Sequence, residues 1–276
     1  MNEQIYKSIK ALPPLDDTVA QVQLVCQDKN SNMKQLSDII KKDPMLTANI
    51  LRSANSPLYG FSREIRDIDR AVALFGMATV RGFALYGSIK KTFNINLEPY
   101  GITEEYFLNI ALKRNSLALH WSASLDKNLK NILMPTSFMM EIGRIVIAKE
   151  VISMGVLNEF KTKLKSVKNI RDLTALEVDT IGISNEELTS KILEHWNLER
   201  ELSDAILYIN NPEKAANNIK LSSKILLILK NAINIFGVFG DENIGNSLNL
   251  VDSYGLSQDD FMNAVSKVST DNKVDG

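Results

Sequence analysis

The chain has 276 residues, of which 32 are Lys or Arg and 33 are Asp or Glu, so its net charge is close to zero. This balance argues against nucleic-acid binding, which needs an excess of basic side chains. The single cysteine, Cys26, excludes an intramolecular disulfide and is typical of a reducing compartment. The first residues lack the apolar run of a signal peptide, and we find no apolar run of membrane-spanning length. We therefore expect a soluble, cytoplasmic protein without membrane contact.

Apolar residues recur with helical spacing along most of the chain, and convincing strand alternation is lacking, which predicts an all-α fold. The first helix is predicted to stop at Pro13-Pro14, because proline cannot continue a helix. The second helix carries Cys26 in an apolar stripe, where we expect the thiol to be buried as a small hydrophobe. Asn32 and Gln35 are typical of a capping box at the start of the third helix.

The segment 43–87 is the most informative part of the chain. Asp43 followed by Pro44 predicts a helix start, because the carboxylate can accept the unpaired amide protons of the first turn. This helix should end near Asn55, since a proline two residues later disfavours helical backbone before it. The next helix is predicted to be interrupted at Gly76.

The helical periodicity lapses between residues 94 and 101, which contain a proline and a glycine. We place a boundary there, so that residues 1–98 form an N-terminal helical lobe and residues 99–276 a second helical lobe. Residues 12–212 are expected to form one compact unit across this boundary.

Asn115 lies in the middle of the next predicted helix, which runs from about residue 103 to about residue 125. Its neighbours three and four positions away are all apolar, so its side chain should face inward. A buried amide without partners costs about 1–3 kcal/mol. We therefore expect either a local hydrogen-bond network or the remnant of a functional site around Asn115.

Four further signals organise the rest of the chain. Pro135 is predicted to open a helix whose apolar face continues to residue 146. Ser184 and Glu187 are typical of a capping box. The apolar stripe 221–236, ended by a glycine, predicts a long core helix. A last helix should begin at Ser257.

The order DPxLTxxILRxANSPxYG from Asp43, followed by IxxIxxAVxLFG from Ile65, resembles the HDOD family (HD-related output domain) of bacterial signal-transduction proteins. An LPPL sequence at Leu12 is similar to the opening of that domain, and the resemblance extends to about Pro212. Most residues of this motif should simply form helices. Three of them are expected to be surface determinants: Asn55, Tyr59 and Arg63.

HDOD domains resemble HD phosphohydrolases, in which histidine and aspartate ligands hold one or two divalent metals that activate water. The resemblance assigns each ligand position to a residue of this chain. Asn115 stands at the first histidine, Met140 and Glu141 stand at the His-Asp pair, Asn185 stands near a further histidine, and Asn210 and Asn211 replace two histidines before a proline.

No imidazole remains at these positions, and amides with a thioether are poor ligands for Mg, Mn, Fe or Zn. Glu141 is interpreted as an ion-pair partner of Arg114 or Arg144. The chain has two histidines, His120 and His195, each followed by a tryptophan, and we expect both to be packing or surface residues rather than a metal-binding pair. The sequence thus predicts no catalytic residue, no metal and no other cofactor.

The leading hypothesis is a non-catalytic signalling module that binds other signalling proteins. The resemblance implies an output such as motility, biofilm, stress or a nucleotide-dependent response. The surface from Asn55 to Arg63 and the groove between the lobes are the candidate contact regions.

Two alternatives stay open. The first is a residual metal-dependent phosphohydrolase that acts on a cyclic dinucleotide or a nucleotide and relies on Glu141. The second is a sensor that binds a nucleotide or another small ligand in a cavity lined by Asn115, Asn185, Asn210 and Asn211.

Overall fold

The computed structural model describes residues 3–269 and consists almost entirely of helices, which confirms the all-α prediction. The N-terminal helices are α1 (Glu3–Lys10), α2 (Asp17–Gln27), α3 (Met33–Ile40), α4 (Pro44–Ala54) and α5 (Ile68–Thr92). The central helices are α6 (Glu104–Trp121), α7 (Lys130–Met139), α8 (Gly143–Ser153), α9 (Leu157–Leu164) and α10 (Ile170–Ile181). The C-terminal elements are α11 (Asn185–His195), α12 (Arg200–Leu207), α13 (Asn217–Ala232), the antiparallel strands β1 (Ile233–Asn234) and β2 (Gly237–Val238), α14 (Asp241–Ser253) and α15 (Gln258–Ser269). Short 3-10 turns occur at Pro57–Tyr59, Glu98–Tyr100, Lys127–Leu129 and Pro212–Lys214.

The predicted helix starts are confirmed by their capping bonds. The Asp43 carboxylate accepts the backbone N–H of Leu46 at 2.9 Å, and Pro44 occupies the first turn of α4. Capping boxes open α3 at Asn32 and α11 at Ser184. Each of these bonds satisfies an amide proton that has no partner inside the helix.

The predicted interruption at Gly76 is a kink inside α5. Gly76 has a φ of 78° and a ψ of 164°, a conformation that only glycine adopts without strain. The stretch Ile68–Ile89 is long and apolar enough to cross a membrane, contrary to the expectation of no such run. Most of it is buried inside the fold and it packs on α4 and α7, which is consistent with a core helix of a soluble protein.

One hydrophobic core extends from α1 to α15 across the predicted boundary between the lobes. The strongest packing between elements of the two lobes is that of α5 against α7. Cys26 is half-buried against this core, and burial raises the pKa of its thiol to about 11. The thiol is therefore protonated at neutral pH and behaves as the expected small hydrophobe.

Three features of the helices differ from the prediction. Pro135 does not open a helix but lies inside α7, where the packing of α7 on α5 outweighs the lost backbone bond. The predicted apolar face up to residue 146 is divided by a turn at Met140–Ile142 between α7 and α8. The long C-terminal stripe also ends earlier than expected, because Ile233 leaves α13 to form β1.

Candidate functional site

Asn115 is completely buried in α6, and every polar atom of its amide has a partner. Its Oδ1 accepts the Tyr59 hydroxyl at 2.9 Å, while its Nδ2 donates to the Met134 carbonyl at 2.9 Å and to the Ser137 hydroxyl at 3.0 Å. The expected hydrogen-bond network around this residue is thus present. It ties α6 to α7 and to the 3-10 turn that carries Tyr59.

Glu141 lies in the turn between α7 and α8, and its carboxylate is held between two arginines. Arg114 of α6 donates to Oε2 and Arg144 of α8 donates to Oε1. All three side chains are at most 1% exposed. Burial by itself raises the pKa of the Glu141 carboxyl, but the two guanidinium groups outweigh this effect and hold its pKa at about 2. The predicted ion pair is therefore a buried bridge to both arginines rather than to one of them.

Arg144 continues this chain of charges to Glu177 of α10. Its Nε donates to Glu177 Oε1 at 2.8 Å, and the Tyr100 hydroxyl donates to the same oxygen at 3.0 Å. Burial raises the pKa of Glu177, although Arg144 acts in the opposite direction. The carboxylates on either side of Arg144 raise the pKa of its guanidinium despite burial. The arginine thus remains a fixed internal cation.

Asn185, at the start of α11, connects these charges to a second ion pair. Its Nδ2 donates to the Met140 carbonyl at 2.8 Å and to Glu186 Oε1 at 3.1 Å, and its backbone N–H donates to Glu177 Oε2 at 3.3 Å. Glu186 Oε1 in turn accepts a hydrogen bond from the ammonium group of Lys230 on α13, and both side chains are at most 2% exposed. Burial opposes ionisation of Glu186, but Lys230 lowers the pKa of its carboxyl.

We call this assembly the ionic network. Its charged members are Arg114, Glu141, Arg144, Glu177, Glu186 and Lys230, which carry three positive and three negative charges. They come from one turn and five helices, α6, α8, α10, α11 and α13, so the network joins these five helices of the second lobe. A buried charge is tolerated only when it is paired and hydrogen-bonded, and each of these charges is.

Gly143 shows how closely the backbone approaches within this region. A Cβ atom at this position would lie 2.6 Å from the Asn185 carbonyl oxygen and 2.9 Å from the Thr189 hydroxyl. The Gly143 N–H donates to that hydroxyl at 2.9 Å, and the next N–H along the chain donates to Asn185 Oδ1 at 3.2 Å. Only glycine allows α8 and α11 to meet at this distance.

The residues at the positions that the resemblance assigns to metal ligands do not fit a divalent metal. Both oxygens of Glu141 are occupied by guanidinium groups, and a metal ion there would face two positive charges. The amides of Asn115 and Asn185 are used by protein partners, and the Met140 thioether is a ligand for soft metals. Across residues 3–269, no group of three or more His, Cys, Asp and Glu side chains lies close enough to hold a metal ion.

The six residues that the resemblance assigns to the metal-ligand positions do not line one cavity. Asn115, Met140, Glu141 and Asn185 are buried, whereas Asn210 and Asn211 are exposed beyond the end of α12. Asn210 contacts the edge of the ionic network, because its Nδ2 donates to Glu186 Oε2 at 2.8 Å. A ligand could reach Asn210 but not the two buried amides.

The three predicted surface residues have different environments. The expectation for Tyr59 is wrong, because its ring is 3% exposed and packs edge-on against Phe75 and Phe83 at 5.1 and 5.4 Å. Asn55 is exposed, but its amide pairs with both backbone groups of Ile65 at 2.7 and 2.8 Å and closes the loop. Arg63 is exposed and has no ion-pair or hydrogen-bond partner among residues 3–269.

The predicted groove between the lobes is a cavity of about 440 Å³. Its lining includes Leu12, Thr92, Phe93, Asn94 and Asn96 of the first lobe and the α8 residues Ile145 and Lys149. His195 lies close to this region, where its Nε2 is 3.0 Å from the Leu12 carbonyl oxygen. His195 therefore contributes to packing between the lobes, as expected, and not to the ionic network.

Three network members were missed by the sequence analysis: Glu177, Glu186 and Lys230. The signal for Lys230 was available, because it lies inside a strongly apolar stripe of α13, in the same way that Asn115 lies among apolar neighbours. Glu186 and Glu177 gave no comparable signal. Glutamate is common in exposed helical turns, and only the folded chain brings these two beside Arg144 and Lys230.

Comparison with known proteins gives one family and several similar folds. The HDOD domain family matches residues 12–212. A virulence factor from Campylobacter jejuni subsp. jejuni is 24% identical, with a TM-score of 0.59, and the alignment covers 98% of this chain and 99% of that one. A candidate phosphohydrolase from Shewanella amazonensis SB2B is 19% identical, with a TM-score of 0.68, and 97% and 94% of the two chains are covered. A candidate signal-transduction protein from Marinobacter aquaeolei VT8 is 17% identical, with a TM-score of 0.68, and 98% and 62% are covered. No curated protein matches the sequence.

Proposed function

Because this chain belongs to the HDOD family, we propose that it is a non-catalytic module of bacterial signal transduction that acts by binding protein partners. The observation that carries this proposal is the ionic network. Glu141, which the resemblance assigns to a metal-ligand position, belongs to a group of three internal cations and three carboxylates that are paired with one another. Arginine and lysine there supply fixed positive charge without an open coordination position, so water has no activating centre.

The partner surface that we propose is the arginine patch, defined as Arg63, Arg66 and Arg70. These side chains surround a shallow pocket at the start of α5, together with Glu64 and Asp67. Arg66 is paired with Glu64, and the Asp67 carboxylate caps α5, so Arg63 and Arg70 are the cations available to a partner. Nearby, Phe61 is 43% exposed while one face of its ring packs on Phe75. A partner segment with acidic side chains and an apolar anchor fits this combination.

The proposal that catalysis is lost is tested by metal content and turnover. Untagged protein is incubated with Mn, Fe, Mg or Zn, freed of unbound metal, and analysed for bound elements beside a phosphodiesterase assay on cyclic dinucleotides. We expect no stoichiometric metal and no turnover. Metal that is bound stoichiometrically and lost on Glu141→Ala or Asn210→Ala would overturn the proposal and restore the phosphohydrolase named for the Shewanella relative. Asn210 is exposed, so its variant tests the site even if Glu141→Ala does not fold.

The proposal of an arginine patch is tested by charge reversal. Arg63→Glu and Arg70→Glu are compared with Arg200→Glu, a control whose side chain is 88% exposed on α12. Partners are cross-linked in the native bacterium and quantified for each variant. We expect partners to be lost from both patch variants and kept by the control. An unchanged partner set in the patch variants would remove this surface from the proposal. The output that the partner controls, whether motility, biofilm or stress, follows from the partner's identity.

A further inference from the structure

A second cavity of about 440 Å³ lies on the surface between α10, α13, α14 and the segment after α12. Its polar wall consists of asparagine side chains that four separate parts of the chain bring together: Asn169, Asn210, Asn231, Asn246 and Asn249. The volume lies within the range of about 300–1,000 Å³ that is typical of small-molecule sites. This cavity is distinct from the groove between the lobes and from the arginine patch.

Much of the hydrogen-bonding capacity of this wall is unused. An asparagine side chain offers one carbonyl acceptor and two N–H donors. Asn169 uses its carbonyl to cap α10, and Asn231 uses its amide nitrogen on the Leu227 carbonyl at 2.8 Å. Within residues 3–269, the remaining groups of these two amides, and both polar ends of Asn246 and Asn249, have no hydrogen-bond partner. The cavity therefore presents donors and acceptors in similar number.

Two opposite charges complete the lining. Arg171 and Glu242 both face this cavity, both are exposed, and neither forms an ion pair with the other or with another residue of the described range 3–269. The apolar part of the lining is aliphatic and comes from Ile170, Leu227 and Leu250. No aromatic ring is among the described lining residues, so a flat ring system has no stacking partner here.

The inner end of the wall is held in place by the ionic network. Asn210 donates to Glu186 Oε2 at 2.8 Å and accepts from the Lys230 ammonium at 3.4 Å. Its amide is thereby fixed in one orientation, whereas the outer amides remain open to a ligand. A site with one rigid wall loses less conformational entropy on binding than a site made only of mobile side chains.

We infer that this cavity binds a small zwitterion, a free amino acid or a dipeptide. A carboxylate pairs with the Arg171 guanidinium, and an ammonium group pairs with the Glu242 carboxylate. The asparagine amides exchange hydrogen bonds with the remaining polar groups of the ligand, and an aliphatic portion of the ligand packs on Leu227 and Leu250. This ligand class uses the cation, the anion, the neutral amides and the aliphatic surface together. The inference goes beyond the proposed function, because it holds whether or not the ionic network has replaced a metal centre.

The test uses the full chain and a panel of the standard amino acids and simple dipeptides. Thermal unfolding identifies members that stabilise the protein, since a ligand that binds only the folded state raises its stability. Calorimetric titration then gives the affinity of the best member for wild type, Arg171→Gln, Asn246→Ala and the control Asn218→Ala. Asn218 is an exposed asparagine of α13 outside the cavity. The carboxamide and the N-acetyl derivative of the same ligand each lack one of its two charges.

We expect at least one panel member to bind, with affinity reduced about tenfold or more in Arg171→Gln and clearly reduced in Asn246→Ala, while Asn218→Ala binds as wild type does. Both derivatives should bind about tenfold more weakly than the zwitterion. The inference is overturned if no member binds, or if binding survives unchanged in both cavity variants. If both singly charged derivatives bound as tightly as the zwitterion, the zwitterion class itself would be refuted.

Discussion

The replacement Glu141→Gln is the sharpest test of the ionic network, because it removes one negative charge while keeping the shape of the side chain. In the variant, Arg114 and Arg144 lose their shared carboxylate and both stay buried. The two guanidinium groups hold the pKa of Glu141 at about 2 instead of 4.5, which corresponds to about 3 kcal/mol in favour of the ionised carboxylate. Breaking a buried ion pair by removing one partner costs about 3–5 kcal/mol. We expect the free energy of unfolding to fall by a similar amount.

Urea denaturation followed by circular dichroism measures this loss, with the slope of the transition checked for constancy. The matched control is Glu159→Gln, which removes the same charge from an exposed pair with Lys163 on α9. This control should leave the denaturation midpoint unchanged, because exposed pairs contribute little. If Glu141→Gln unfolds at the same urea concentration as wild type and the control, the ionic network does not stabilise this fold and our reasoning is refuted.

The same carboxylate predicts a pH dependence, and two glycines and a tyrosine give matched stability tests. The folded-state pKa of Glu141 lies below its unfolded value of 4.5, so its contribution to the free energy of unfolding is present above pH 4.5 and is lost as the pH falls to about 2. In urea denaturation, the difference in stability between wild type and Glu141→Gln should therefore shrink over that pH range. Tyr59→Phe leaves Asn115 Oδ1 without its donor and should cost about 1–3 kcal/mol in urea denaturation; a neutral result would mean that another group satisfies this oxygen. Gly143→Ala forces a Cβ against the neighbouring backbone and should destabilise the protein by about 1–3 kcal/mol. Gly245→Ala, in open space within α14, should instead stabilise it by about 0.5–1 kcal/mol. Equal effects at both positions would contradict the close approach of α8 and α11.

The features that could be predicted from the sequence depend on neighbours within a few residues. The Asp43 cap, the capping box at Ser184 and the break at Gly76 each involve groups no more than one turn apart, and the structure contains all three. The inward direction of Asn115 also followed from its helical neighbours. The prediction that a helix begins at Pro135 is wrong, because the long-range packing of α7 on α5 outweighs the local preference of proline for the first turn.

The prediction that the Tyr59 side chain is exposed is wrong for a related reason. The residue lies in a short turn rich in polar and glycine neighbours, which is the usual composition of a surface loop. In the folded chain the ring packs edge-on against Phe75 and Phe83, which also contact each other. Its hydroxyl reaches Asn115, which is 56 positions away in the sequence. Burial of a side chain in a loop is decided by what packs over it, and the loop sequence does not contain that information.

The sequence by itself determined the helical class, the family and the absence of imidazole from the positions that the resemblance assigns to metal ligands, because each depends on residue type and short spacing alone. The tertiary structure decided which side chains surround Glu141. Glu141 is linked to Arg114 at a separation of 27 residues, and Glu186 to Lys230 at 44. The sequence around a carboxylate does not show which group it will contact in the folded chain. Whether it is solvated, bound to a metal or paired with a buried cation depends on which helices meet around it.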